Sequence, residues 1–176
     1  MSLPAWIEVS VGKSHDRKSF DCGEAALNDY LVKFARQNHD NGGAKTFVAV
    51  GPKAPKRVLG FYALSPCSID HARVPPGVTR GLGRYEVPAF RLARLAVDRS
   101  CQGSGLGGQL LVAAGYRCSA AAELVGGVAL VIDAKSDRAA KWYASFGAVA
   151  LADTALTLVL PLATLAAAFP AATKTK

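Results

Sequence analysis

Residues Arg91 to Gly108 read RLARLAVDRSCQGSGLGG, and this stretch decides the fold. An apolar strand, Leu92 to Val97, stops at an acidic turn at Asp98, and Gln102-Gly103-Ser104-Gly105-Leu106-Gly107 then leads into an apolar helical segment. Glycine permits φ > 0 and close approach of the backbone, while the free N–H groups and the dipole of a following helix point at an anion. The element therefore reads as a pyrophosphate cradle. Taken alone, the six residues also fit a glycine-rich turn that caps a helix.

Two other phosphate loops are tested by what is missing. A Walker loop ends in Gly-Lys-Ser/Thr, whereas Gly107-Gly108-Gln109 offers neither lysine nor hydroxyl. A dinucleotide fingerprint is met in spacing by Gly103, Gly105 and Gly108, with Glu123 near the position of the ribose-binding acid. The segment lies mid-chain, however, with no βαβαβ repeat before it.

Outward from this centre, the elements follow from periodicity. Downstream, a helix spans Leu106 to about Leu124, and Gly127 to Ala134 is a continuous apolar strand of the kind covered on both faces. Ser136 can cap the next helix, which reaches Phe146 and stops at Gly147. Thr154 to Leu160 closes the sheet, and the tail from Leu156 to Ala172, broken by Pro161 and Pro170, reads as a terminal strand plus a short helix. Upstream, Trp6 to Val11 is a first strand, and Thr46 to Val50 and Val58 to Leu64 form a hairpin around Gly51 to Pro55. Between them Asp21 is placed to cap a helix whose third residue is Glu24 and whose helical spacing runs over Ala25 to Asn38. Leu27, Tyr30, Leu31, Phe34 and Ala35 make its apolar face, and Lys33, Arg36 and Gln37 its polar face. Residues 71–89 are a long loop rich in proline and glycine that carries Arg73, Arg80 and Arg84.

At 176 residues the chain is expected to be one domain with a sizeable core. No apolar run reaches the roughly eighteen residues needed to span a bilayer, and MSLPAWIEV has no basic n-region followed by an apolar h-region. Cys22, Cys67, Cys101 and Cys118 lack metal-ligand spacing, so reduced thiols, no metal site and a cytoplasmic location are expected. The net charge of +8 favours a polyanionic partner.

Q-x-x-G-x-G between a strand and a helix resembles motif A of the GNAT N-acetyltransferases. About thirty residues on, Ser136-Asp137-Arg138-Ala139-Ala140-Lys141-Trp142-Tyr143 followed by Ala144-Ser145-Phe146-Gly147-Ala148 resembles that family's N-x-x-A-x-x-x-Y-x-x-x-G-F, with Ser136 in place of asparagine and Ala148 in place of phenylalanine. The resemblance narrows with Phe20-Asp21-Cys22-Gly23, Leu27-Asn28-x-x-Leu31, Ala35-Arg36-Gln37, Gly60 to Ser65, Val87-Pro88-Ala89 and Leu92 to Asp98. Together these are similar to GNAT-type toxins of bacterial toxin–antitoxin modules and cover most of the chain, Phe20 to Leu162.

The resemblance implies an α/β (α+β) GNAT acyl-CoA N-acyltransferase fold, with a mixed, mostly antiparallel central sheet whose central strands splay apart and which helices flank. It implies that acetyl-CoA is bound with its pantetheine arm along the backbone of Leu95, Ala96 and Val97 and its pyrophosphate on the amides of Gln102, Gly103, Ser104, Gly105, Leu106, Gly107 and Gly108. Ser136 would add a polar contact, and Tyr143, at the motif's tyrosine, would be the general acid that protonates the departing thiolate. Tyr143 also fits a packing stripe with Trp142 and Phe146. The acceptor implied is the α-amino group of aminoacyl-tRNA, whose acetylation blocks translation. The partners implied are a cognate antitoxin with a ribbon-helix-helix DNA-binding domain, operator DNA through that antitoxin, and a second copy in a homodimer.

No His or Glu stands out as a general base, and Asp98 reads rather as a turn residue. A free α-amino group has a pKa of about 7.7–8.0, against about 10.4 for lysine, so the missing base favours an aminoacyl ester over a protein lysine. For tRNA phosphates, Lys33, Arg36, Arg80, Arg84, Arg91 and Arg94 are the candidates. Two other readings stay open: a GNAT enzyme acting on a small amine or a protein amino terminus, and a non-catalytic CoA-binding module.

Overall fold

The structure, a computed structural model, describes residues 1–169. The strands are β1 (Ile7–Ser10), β2 (Lys45–Gly51), β3 (Ala54–Ile69), β4 (Val87–Val97), β5 (Ala129–Asp133), β6 (Val149–Leu151) and β7 (Thr154–Pro161). The helices are α1 (Ala25–Asp29), α2 (Ala35–Asn41), α3 (Pro76–Thr79), α4 (Leu106–Val125), α5 (Asp137–Ala144) and α6 (Leu162–Ala168). The class is the mixed α/β one expected, with a mostly antiparallel sheet flanked by helices. Two compact units divide the chain: Met1–Ser65 with Ala93–Ala113, and Pro66–Leu92 with the residues from Ala114 onward.

In the first unit β1 pairs antiparallel with β2, and β2 with β3. Its core joins Phe20, Leu31, Val48, Phe61 and Ala96, with the rings of Phe20 and Phe61 edge to face at 5.5 Å. In the second unit β5 pairs antiparallel with β7, β7 with β6, and Val131 and Val159 centre a core that also holds Ile69, Val87 and Leu151. The one parallel pairing, of β4 with β5, is confined to Phe90–Leu92 against Leu130–Ile132. Strand β4 runs on to Val97, five residues past that register.

The helix expected over Ala25 to Asn38 is broken by a π turn at Tyr30–Phe34. The extra residue in that turn rotates the succeeding helical segment, so Phe34, expected on the buried face, is 52% exposed while Ala35 is fully buried. A π turn also frees carbonyls from the helical ladder, and Arg17 takes two of them: its NH1 donates to Leu31 O at 3.2 Å and to Val32 O at 2.8 Å. Asp21 does not cap α1 as expected. Its carboxylate accepts from Gly23 N (2.8 Å) and Asn28 Nδ2 (2.9 Å), closing the entry loop through a side chain one turn into the helix.

The expected loop over 71–89 is shorter and better held. It contains a 3₁₀ turn at His71–Arg73 and helix α3, and Val87 already belongs to β4. Val74 is buried, Val78 and Leu82 pack on the second core, and the longest exposed run is Gly83–Glu86. Strand β6 has no counterpart among the expected elements, since three residues carry no period. The tail forms β7 and α6 as expected up to Phe169, while the part from Pro170 to Ala172 lies outside the described residues.

Candidate active site

The cradle belongs to the first unit. Asp98 follows β4 and caps the 3₁₀ turn Arg99–Cys101, accepting from Ser100 N at 3.0 Å, and its other carboxylate oxygen accepts from Asp21 N at 3.0 Å. Gly103 (φ 77°) and Gly105 (φ 92°) are both left-handed, and a Cβ built on either would meet nothing within 4 Å. The glycines therefore serve the backbone path and leave open space over the loop. Ser104 Oγ donates to Cys101 O at 2.6 Å and accepts from Leu106 N at 3.4 Å. Gln109 N donates to Gly105 O at 3.2 Å, so the helical ladder of α4 starts there. Ahead of it lie the first-turn amides of Gly107 and Gly108, which helix geometry leaves for another acceptor. A loop of left-handed glycines running into a twenty-residue helix fits a pyrophosphate in charge and in space.

The side chain of Gln102 has another task. Its Nε2 donates to Val97 O and to Cys22 O, both at 2.9 Å, so it ties the loop to the end of β4 and to the loop before α1. Its side-chain donor is thus committed, and its backbone N–H is what it can offer an anion. Leu95, Ala96 and Val97 lie on the five-residue extension of β4, with Ala96 buried and the other two half-buried.

Tyr143 belongs to the second unit, on α5. Its helix is capped by Ser136, whose Oγ accepts from Ala139 N at 3.1 Å, so the Ser136 hydroxyl serves the helix end. Trp142 stacks edge-on against Tyr143 and against Phe146, each at 4.9 Å. The packing stripe and the motif tyrosine thus coincide. Burial pushes the Tyr143 phenol up to about 12, so it keeps its proton at every physiological pH.

The Asp98 carboxyl is pushed up by burial, but the hydrogen bonds from Asp21 N and Ser100 prevail and hold it below the usual carboxylate range. Such a group is a poor base, and its partners make it a structural anchor. The four cysteines are free; burial raises Cys22 and Cys67 and pushes Cys118 up to about 12, so these thiols stay protonated. Among the described residues no cluster of His, Cys, Asp or Glu could hold a metal ion, and no helix is long and apolar enough to cross a membrane.

The candidate phosphate contacts separate by partner. Arg91 is paired with Asp133, which also accepts from Thr157 Oγ1 at 3.1 Å, so its charge is largely matched within the sheet. Arg94 lies with its guanidinium carbon 4.2 Å from the centroid of the Tyr30 ring, a cation–π contact that fixes it on β4. Lys33 pairs with Asp29 at 3.2 Å on an exposed face, and Arg36 is half-buried. Arg80 and Arg84 are exposed beside Tyr85, which is 83% exposed. Sequence reasoning missed Arg17, because a basic turn with no periodicity gives no sign that one guanidinium will hold a helix defect.

No family model matches the chain. It is 43% identical over 136 residues, 77% of this chain and 80% of the relative, to a tRNA-acetylating toxin of Mycobacterium tuberculosis. Among solved structures it resembles AtaT complexed with acetyl-methionyl-tRNAfMet, with a TM-score of 0.86 at 27% identity over 93% of this chain and 99% of that one. It also resembles a tyrosine-to-phenylalanine variant of AtaT bound to the C-terminus of the antitoxin AtaR and acetyl-CoA, with a TM-score of 0.80 at 25% identity over 94% and 98%. The cradle, the motif tyrosine and these likenesses lead to one conclusion: the chain belongs to the tRNA-acetylating toxins, GNAT N-acetyltransferases of toxin–antitoxin modules.

Proposed function

We propose that the protein transfers the acetyl group of acetyl-CoA to the α-amino group of aminoacyl-tRNA and so blocks translation. The observation that carries this is the pair of left-handed glycines opening α4, in a chain 43% identical to an enzyme named for that reaction. Acetyl-CoA supplies the activated thioester. The amides of Gln102 to Gly108 hold its pyrophosphate, and the backbone of Leu95, Ala96 and Val97 pairs with its pantetheine arm as an added strand would. Tyr143, which holds its proton at neutral pH, donates it to the leaving sulfur as the thioester bond breaks. Ser136 acts by capping the tyrosine's helix. No side-chain base is required, since an aminoacyl amine is partly neutral at pH 7.

Arg80, Arg84 and Arg94, with Lys33 and Arg36, contribute cationic contacts to tRNA phosphates; Arg91 contributes less because Asp133 neutralises it. Residues 1–176 act as one catalytic domain, in the cytoplasm where charged tRNA is found. An antitoxin with a ribbon-helix-helix domain neutralises the enzyme and carries it to operator DNA, and the active form is a homodimer. Incubation with acetyl-CoA and charged tRNA, beside polyamines and peptides, tests the reading. Transfer to the aminoacyl ester alone supports it, and transfer only to a polyamine or peptide overturns it.

A further inference from the structure

Away from the cradle, the turn from Gly12 to Ser19 bounds two adjoining cavities. One, of about 230 Å³, is lined by Lys13, His15, Asp16, Arg17, Lys18 and Val32. The other, of about 450 Å³, shares Asp16 and adds Lys56 and Arg57. Two hydrogen bonds hold the turn: Asp16 N donates to Lys56 O at 2.8 Å, and Gly12 N donates to His15 Nδ1 at 2.9 Å.

The charge balance of this surface is one-sided. Asp16, its acid, is already engaged, accepting from Ser19 Oγ at 2.6 Å and Ser19 N at 3.2 Å. Lys13, Lys18, Lys56 and Arg57 are exposed. Arg17 gives its NH1 to the carbonyls of the π turn, and its Nε is buried without a hydrogen-bond partner. Arg17 lines the smaller cavity and adds its positive charge to that surface.

We propose that these cavities bind successive phosphodiesters of the tRNA body, forming a nucleic-acid contact separate from the acceptor end. The proposal rests on the tRNA-acetylating function above. Two adjoining cavities with four exposed cations suit a ligand with repeated phosphates better than a lone anion. None of these residues belongs to the rim expected from the sequence.

The test is the full chain carrying Lys13→Glu and Lys18→Glu, two exposed positions outside the core, with an unchanged melting curve as the check of folding. Binding of uncharged tRNA is measured across salt concentrations, separately from acetyl transfer. The expected result is binding weakened by about tenfold or more and a salt slope lower by about two. KM for charged tRNA should rise in parallel, while KM for acetyl-CoA stays at the wild-type value. Unchanged tRNA affinity and slope would overturn the proposal. A raised KM for acetyl-CoA would also overturn it, assigning the cavities to a phosphate of coenzyme A. Equal protection of the wild type by inorganic phosphate and by tRNA would assign them to a free anion and likewise overturn it. Because the binding arm needs no turnover, a wild-type chain that binds tRNA but does not acetylate it would refute the proposed function and leave the phosphate site standing.

Discussion

Gln102 Nε2 donates at 2.9 Å to the carbonyl of Val97, the last residue of β4, and so ties the glycine loop to the strand from which it springs. The same nitrogen reaches Cys22 O at 2.9 Å, joining the loop before α1 to both. Gln102→Ala removes both bonds and leaves two carbonyls to find water. A loss of about 1–2 kcal/mol in denaturant unfolding is expected, with KM for acetyl-CoA rising more than kcat falls. An unchanged KM would show that the loop holds its shape without the strut.

Tyr143→Phe keeps the ring and its contacts with Trp142 while removing the proton. Acetyl-CoA binding should persist, and turnover should fall by roughly 10²–10⁴-fold in single-turnover assays. The folded phenol holds its proton more tightly than the unfolded one, about 12 against an ordinary value of about 10. The stability linked to it is therefore complete below about pH 10 and is lost as pH rises toward 12, so it sets no alkaline limb between pH 7 and 9.

Asp98→Asn separates anchor from base. If Asp98 is an anchor, kcat at pH 7 should fall far less than the roughly 10²–10⁴-fold that loss of a general base brings. Unfolding stability should drop by about 1–3 kcal/mol. Because the folded carboxyl titrates below its ordinary value, its contribution is present above that ordinary value and disappears as pH falls through the folded one. Acid unfolding of the variant should accordingly depend less steeply on pH than that of the wild type.

Gly147 ends the segment after α5 at φ 100°, and a Cβ there would lie 2.7 Å from Thr164 Cγ2 on α6. Gly147→Ala combines an unfavourable backbone with a clash, so a loss of about 1–3 kcal/mol in thermal or denaturant unfolding is expected. By contrast Gly105→Ala meets open space. It should cost about 1 kcal/mol of strain, and its larger effect should be on acetyl-CoA affinity, read by calorimetry.

Arg17→Met tests the π turn. Losing the donors to Leu31 O and Val32 O should cost about 1.5–3 kcal/mol, whereas Phe34→Ala, at an exposed position, should stay within about 0.5 kcal/mol of wild type. A helix read from its period alone would predict the reverse order for Phe34.

The glycine loop was legible because its signal is local: glycines before a helix, after an apolar strand, can be read from six neighbouring residues. The same holds for the longer strands and helices and for the place of Tyr143 on α5, whereas β6, three residues long, carries no period. What stayed hidden depended on residues far apart in the chain. The amphipathic pattern of Ala25 to Asn38 gave no sign of a π turn, because Arg17 stabilises it from outside that helix.

The sequence by itself thus determined the α/β class, a glycine loop leading into a helix, the place of Tyr143 on α5 and the excess of positive charge, each encoded in composition or short-range spacing. Only the tertiary structure decided which charges are committed. It set Arg91 against Asp133, Arg94 over Tyr30, Gln102 between Val97 and Cys22, and left the cations around Asp16 facing two cavities. A partner is chosen by proximity in space and by what burial leaves unpaired, and neither quantity is a function of distance along the chain.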